Sequence, residues 1–534
     1  MSGGDGDGVS GAEQSSALPR DGWGDLSPGE MAIVGSLMVA EDALDGVADA
    51  SDDAALAPAD DSALSREWQT DLGNAKRFER RHGDNLRYVG ELGWHAWDGK
   101  RWKIDKDAHE PLRCAHKVAE SVIDEARRAE RDGPRDGEDE AAHQKRVKRL
   151  YAWALKSSEL SRSRAMIAAA APYLALDVGQ LDQQSRRLNV LNGTLIFDFD
   201  RPDRVRLMKP RRSDYATKIA NVAFVENAEA PRWAQFVREV LPDQDTRLFV
   251  QRWLGYSCLT GDISEQCMAA FEGKGANGKS TLIDVVARLI GDYAMTSPIE
   301  TFLHQDRKSG SGPSPDLARL RGARLVRTSE PEPGARLSES NIKQFTGGEK
   351  ITARELNKPF FEFVPQGKLT MSVNIRPTIV GKDHGIRRRI KVVPFTQEFK
   401  ERRIGLVEEL IEEGPGILWW LIDGWRMWRD SGLGGSRDID EATANYFREM
   451  DPIGQFVAEA CEVGKEYRET SGSLMAAYVR WCAQSSEEPK NATAFGRRLS
   501  DMGFGKHKTN GAVMRMGVKV LAEWRGAPPS GRDE

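Results

Sequence analysis

Eight residues, Gly273 to Ser280 (GKGANGKS), fit the pattern G-x-x-x-x-G-K-[ST] and restrict what can surround them. A short apolar run, Met268 to Phe271, leads into this stretch, and an apolar-periodic run (Leu282, Ile283, Val286, Leu289, Ile290) leaves it. The pattern predicts strand, loop and helix in that order. Glycines at 273, 275 and 278 let the backbone curl until successive N–H groups point into one cavity, and the helix behind adds its positive end. Such a nest fits a polyphosphate. On this reading Gly273, Gly275, Ala276, Asn277, Gly278, Lys279, Ser280 and Thr281 line an ATP site. Lys279 reaches the β- and γ-phosphates and Ser280 holds Mg²⁺, with Thr281 the alternative hydroxyl.

A chain of 534 residues exceeds one hydrophobic core and predicts several domains. Charged residues make up 30% of it and its mean hydropathy is -0.55, a balance that excludes a membrane-embedded class. No apolar stretch is long enough to span a bilayer, and the first residues (MSGGDGDGVSGAEQ) lack a secretory signal, so a cytoplasmic location is expected. Five scattered cysteines (114, 258, 267, 461, 482) without a C-x-x-C predict buried thiols rather than a disulfide framework or zinc ribbon. A net charge of -5 does not exclude a basic channel inside an acidic chain.

Residues 1–65, rich in Gly, Ser, Ala and Asp, read as a disordered acidic tail. From Thr70 the texture changes. The stretch NLRYVGELGWHAWDGKRWKID alternates around the turn dipeptide Asp98-Gly99 and predicts a hairpin whose Trp94, Trp97 and Trp102 serve the core rather than as stacking platforms. Helical periodicity runs from about Leu112 to Arg131, breaks at residues 132–139 and resumes to about Ala171. LNVLNGTLIFDF predicts strands, and helices follow at Trp233 to Leu241 and Thr246 to Leu259. Residues 66–260 thus form a mostly helical α+β adaptor before the glycine-rich loop.

A nucleotide hydrolase needs a second strand ending in carboxylates, because the metal and the attacking water both require negative oxygen near the γ-phosphate. ARLVRTSEPE supplies one, with Glu330 and Glu332 at its end. One would act through the waters of Mg²⁺ and the other as base, an assignment the spacing leaves open; Glu330 stands beside Ser280 as a metal candidate. A third strand, KLTMSVNIRP, ends in Asn374, placed to orient the water.

These phrases, taken in order, resemble the phage and plasmid primase-helicase family, whose motor is a superfamily 3 helicase of the kind also found in poxvirus-type replication NTPases. The resemblance runs from about Thr70 to the C-terminus: TDLGNAKRF, GWHAWDGKRW, LNVLNGTL, WLGYSCLTGDISEQ, then PDLARLRGARLVRTSEPEPGARLSESNIKQFTGGEKITARELNKPFFEF and GPGILWWLIDGWRMW. The family's S-E-x-E matches Ser329, Glu330 and Glu332; Asn374 matches its sensor. The Arg388-Arg389 pair in GIRRRIKVVPF matches the segment that implies an arginine finger reaching a neighbouring subunit's ATP, with Arg388 the first choice. The resemblance further implies an AAA+-like P-loop NTPase core over residues 261–430, assembled as a homo-hexamer. In such helicases a hairpin between the acidic motif and the sensor projects into the channel, which here assigns Lys358 to the tip and Lys343 and Arg354 behind it as backbone contacts. An ion pair of Arg354 with Glu349 or Glu355 accounts for that arginine equally well.

After a linker at 431–450, residues 451–534 read as two helices and a hairpin with a turn at Asn510-Gly511, a pattern that predicts a winged helix. Lys490, Arg497, Arg498, Lys506 and Lys508 would then face duplex DNA, and a protein-docking cap is the alternative. Asp198 and Asp200 superficially fit the paired carboxylates of a primase, but they precede a turn at Pro202 inside a hairpin. A separate primase partner is therefore expected. The fold class is multidomain α/β, and the function a ring helicase hydrolysing ATP to move on single-stranded DNA. A DNA-dependent switch ATPase that loads a partner, and a small-molecule kinase, are the competing classes.

Overall fold

A computed structural model of the chain describes residues 64–304, 315–354, 356, 358–379, 384–401, 403–485, 487–509 and 511–525. The expected acidic tail lies outside these residues up to 63; Leu64, inside its expected bounds, is buried. The Thr70 hydroxyl accepts the Gly73 N–H and opens helix α1 (Asp71–His82). Strands β1 (Leu86–Val89), β2 (Gly93–Trp97) and β3 (Trp102–Asp105) form an antiparallel meander, one strand more than the expected hairpin. The turn between β2 and β3 is tied by Asp98, whose Oδ1 accepts the N–H groups of Lys100 and Arg101. Trp94 and Trp102 are buried, as core tryptophans should be.

Helices α2 (His109–Asp132), α3 (Glu140–Ser157) and α4 (Leu160–Ala170) follow. The break at 132–139 falls where expected, with Asp139 capping α3 through the Ala142 N–H. A second break at Ser158 splits the continuation. The Ser158 hydroxyl donates to the Leu155 carbonyl at 2.6 Å and takes an acceptor from the last turn of α3. A buried ion pair, Arg77 to Glu125, joins α1 to α2.

Strands β4 (Arg187–Val190), β5 (Gly193–Phe197) and β6 (Val205–Met208) make a second antiparallel meander, and LNVLNGTL turns between β4 and β5 as expected. After α5 (Pro231–Val240) and α6 (Gln244–Leu259) comes β7 (Met268–Glu272), the strand before the glycine-rich loop. Helix α7 (Lys279–Ile290), β8 (Ala294–Ser297), β9 (Leu325–Thr328), α8 (Glu339–Gly347), the hairpin β10 (Ile351–Ala353) and β11 (Phe361–Phe363), β12 (Lys368–Val373) and β13 (Ile390–Pro394) complete the central region. Five of these strands form one parallel sheet in the order β13-β7-β12-β9-β8. Both faces are covered, which explains why β7 reads as a continuous apolar run rather than an alternation. Ala269 and Phe271 enter one core with Trp253 and Leu282; Met268 and Ala270 enter the other with Ile342 and Phe345.

Two expected boundaries shift. Helices α5 and α6, allotted to the adaptor, share the first core with Phe271 and α7, and α6 packs on α9 (Gly414–Ser431). The stretch 431–450, expected as a linker, contains helix α10 (Arg437–Glu449), which packs on β13 and offers Thr443 Oγ1 as acceptor for the Val392 N–H at 3.0 Å. Its polar outer surface hides a narrow buried stripe of Ile439, Tyr446 and Phe447.

The C-terminal region runs α11 (Pro452–Ala460), β14 (Cys461–Thr470), α12 (Ser471–Gln484), α13 (Ala492–Asp501), β15 (Lys506–Thr509) and β16 (Ala512–Val520). The two helices and the hairpin appear as expected; Asn510, half of the expected turn, lies outside the described residues. Strand β14, paired to β16 from Cys461↔Val520 onward, was not legible because half of its residues are charged and its register shifts between Val463 and Arg468. Phe456, Tyr478, Trp481 and Phe495 form a separate small core. All five cysteines are buried and unpaired. Among the described residues no helix is long and apolar enough to cross a membrane.

Candidate functional site

The loop after β7 folds back on itself because three of its residues use left-handed backbone: Gly275 at φ 106°, Ala276 at 47° and Gly278 at 79°. A side chain at Gly278 would collide with Val240 of α5, its Cβ 2.2 Å from Cγ1, so α5 seats the loop from behind. A Cβ at Gly273 would fall 1.9 Å from Asn277 Nδ2. Asn277 is buried, and its Nδ2 has no hydrogen-bond partner. A buried donor left unsatisfied beside a glycine cradle and the first turn of a twelve-residue helix is what a polyphosphate oxygen would complete.

Lys279 opens that helix, 2% exposed, and its Nζ donates to Gly273 O at 3.2 Å, Val373 O at 3.1 Å and Asn374 Oδ1 at 2.9 Å. Burial lowers its pKa from the usual lysine value, and the nearby Glu330 and Glu272 carboxylates oppose that shift. Glu330 Oε1 lies 3.9 Å from Nζ, while Glu330 Oε2 accepts Asn374 Nδ2 at 2.9 Å. Three expected residues separated by 44 to 95 positions thus meet. The parallel register explains it. Strand β12 lies between β7 and β9, pairing Val373 with Glu272 and Met371 with Thr328, so the chain leaves all three strands at the same carboxyl end.

Other expected residues sit elsewhere. Glu332, beyond the buried Pro331, is exposed. Ser280 is exposed in the first turn of α7 and Thr281 is half-buried. Arg388 and Arg389 precede β13, and the Met268 N–H donates to Arg389 O at 2.7 Å, at the amino end of β7. That contact marks the end of the sheet opposite the loop. The five residues of β7 put about 16 Å between the two ends. Arg389 is engaged, donating to Thr346 Oγ1 at 3.2 Å and Gly385 O at 2.9 Å, whereas Arg388 is exposed. The expected hairpin is present, with Ile351 paired to Phe363. Lys358 is exposed between its strands, the Arg354 guanidinium lies 4.5 Å over the Phe360 ring, and Lys343 on α8 is half-buried, 3.9 Å from Glu339. Asn357 and Glu355 lie outside the described residues.

Asp198 Oδ1 accepts the N–H groups of Asp200 and Arg201 and closes the turn after β5, so that carboxylate is spent on local structure. Among the described residues no group of three or more His, Cys, Asp or Glu is placed to hold a metal ion. In the C-terminal region Lys490, Arg497, Lys506 and Lys508 are exposed. Arg498, expected to face DNA, instead donates to Asp451 at 3.1, 2.9 and 2.5 Å, and this pairing corrects the expectation.

Sequence reasoning missed Arg376, two residues beyond Asn374. Its guanidinium grips both oxygens of Glu272, the residue before Gly273, at 2.5 and 2.8 Å, and reaches Glu449 of α10 at 2.6 Å. Hydrogen bonds to Glu272 raise its pKa further above the ordinary arginine value. Tyr446 donates to Pro377 O at 2.6 Å and pins the same segment. An arginine three residues past the end of β12 and two beyond Asn374 was the available signal, but its partners are 104 and 73 positions away.

Residues 75–242 match the model of a family described as D5 N terminal like, and residues 271–389 match a family of unknown function. The chain is 31% identical over 243 residues to "Putative helicase L207/L206" of Acanthamoeba polyphaga mimivirus, covering 42% of this chain and 25% of that protein. It is 26% identical over 215 residues to "Putative primase C962R" of African swine fever virus, covering 40% and 22%. The chain is thus similar to proteins named as helicases and primases of large DNA viruses. It spans only about a quarter of the length of those curated proteins. A solved structure, the C terminal region of NrS-1, aligns with 62% of this chain and 96% of its own at 12% identity, with a TM-score of 0.37.

Proposed function

We propose that this chain is an ATP-dependent DNA helicase of superfamily 3 type, acting as a homo-hexameric ring in replication of a phage, plasmid or integrated element. The observation that carries the reading is the meeting of Lys279, Asn374 and Glu330 behind a glycine loop at the carboxyl end of a parallel sheet. The strand order, with the loop-bearing β7 between β13 and β12, supports an AAA+-like P-loop NTPase core. The succession α11, β14, α12, α13, β15, β16 supports a winged-helix domain.

Gly273 to Thr281 would hold ATP, and Ser280 would hold Mg²⁺, with Glu332 acting through the waters of the metal. Bound Mg²⁺ neutralises charge on the transferring phosphoryl group. Lys279 already carries its cation into the loop, held by two backbone carbonyls and Asn374. Asn374 orients the Glu330 carboxylate through Nδ2, which fixes one oxygen and leaves the other turned toward Lys279. Glu330 is therefore the carboxylate assigned to the water. Glu330→Gln should lower turnover by roughly 10²-fold or more, and Glu332→Gln at least tenfold less severely, in ATP hydrolysis assays. A reversed order would move the base to Glu332.

Lys358, exposed on its hairpin, would contact a DNA phosphate, and Arg354 and Phe360 stand at the same hairpin. The deciding experiment offers a forked duplex and ATP to the full chain. A helicase releases the displaced strand, and single-stranded DNA stimulates its hydrolysis. Stimulated hydrolysis without a displaced strand would identify a loading switch, and no stimulation a small-molecule kinase. Lys358→Ala should cut the DNA stimulation about tenfold while basal hydrolysis stays within about twofold. Equal loss of both would point to a damaged fold.

A further inference from the structure

The helical turn His384–Arg387, helix α10 and the start of α11 converge on a cavity of about 510 Å³. Its wall carries four guanidinium groups, those of Arg387, Arg388, Arg448 and Arg498, and two carboxylates, those of Asp440 and Asp451. Arg498 and Asp451 neutralise one another. Among the described residues, Arg387, Arg388 and Arg448 then share the wall with one further carboxylate, that of Asp440. Arg387 lies 5.2 Å over the Phe447 ring, Arg448 donates to the neutral Asn445 at 3.1 Å, and Arg388 stands exposed.

Concentrated positive charge in a concave site calls for an anion, and planar guanidinium forks match phosphate oxygens. The Phe447 ring offers an apolar surface beside them, and the volume suits one nucleotide unit. None of Gly273 to Thr281 lines this cavity; Arg387 and Arg388 lie before β13, at the end of the sheet opposite the loop, while α10 runs on from Arg448 to Glu449 and its contact with Arg376.

We infer that this cavity binds a phosphate group, with Arg448 and Arg387 as its principal ligands and Arg388 at its rim. Two sources carry such a group: the DNA backbone, and the terminal phosphate of a nucleotide held in the loop of a second copy. The second source rests on the ring reading above; the first needs only that the chain binds DNA.

The test uses the full chain with Arg448→Gln and Arg448→Lys. Arg448 is exposed near the end of α10 and outside the cores, and an unchanged unfolding midpoint verifies that the fold is kept. Binding of a fluorescent oligodeoxythymidine is measured without nucleotide across a salt series. If DNA is the source, Arg448→Gln weakens binding about tenfold and reduces the slope of log affinity against log salt by roughly 0.7, while Arg448→Lys keeps the slope. If the nucleotide of a second copy is the source, DNA binding is unchanged, Arg448→Gln loses hydrolysis, and mixing it with Lys279→Ala restores part of it. DNA affinity, salt slope and hydrolysis all unchanged would overturn the inference. A wild-type chain that binds DNA without hydrolysing ATP would defeat the helicase reading and leave this DNA test intact.

Discussion

On the proposed reading, ATP hydrolysis by Lys279→Ala should fall by about 10³-fold, the loss expected when a preorganised cation is removed from the charge that develops on a transferring phosphoryl group. The position makes the effect severe. Nζ has three acceptors around it and lies 3.9 Å from Glu330, so no exposed lysine of the loop can take its place; Lys274 faces solvent. The fold should tolerate the change. Burial already disfavours the charged amine, and alanine is well suited to the first turn of α7. Phosphate release under saturating ATP and Mg²⁺, alongside circular dichroism, checks both halves of the expectation. Retained turnover would mean that the phosphate site lies elsewhere.

Arg388→Ala should lose about 10³-fold in turnover while nucleotide binding stays within a few-fold of wild type, as expected for a guanidinium that acts only on the transition state. The geometry explains why this arginine would have to serve another subunit. Arg388 precedes β13, whose first residue pairs with Met268, so about 16 Å of β7 separates it from its own loop. Arg389 is occupied with Thr346 and Gly385, which leaves Arg388 as the exposed member of the pair. Mixing Arg388→Ala with Lys279→Ala protein should restore part of the activity, because some interfaces then combine an intact loop with an intact arginine. Absence of rescue in mixed oligomers verified by mass would remove Arg388 from the finger assignment.

Much of the architecture was legible because it is written in local chemistry. The loop glycines, the apolar run of β7, the periodicity of α7 and the strand pattern of β12 each depend on neighbours within a few residues. The Asp98-Gly99 turn and the hairpin around Lys358 were legible for the same reason. Helix α10 was hidden because only a narrow stripe of it is buried, and β14 because its charged residues and shifted register give no alternation. Arg498 looked like a DNA contact until Asp451, 47 positions away, was found against it.

Residue order settled that a phosphate-shaped loop would join a strand to a helix, since backbone conformation there follows from glycine positions and the hydrophobic period. Folding in three dimensions decided which carboxylate stands beside Lys279, which arginine remains exposed, and that Arg376 clamps Glu272 to Glu449. Those choices depend on parallel strands ending together and on ion pairs formed across roughly a hundred residues, distances over which no local pattern carries information.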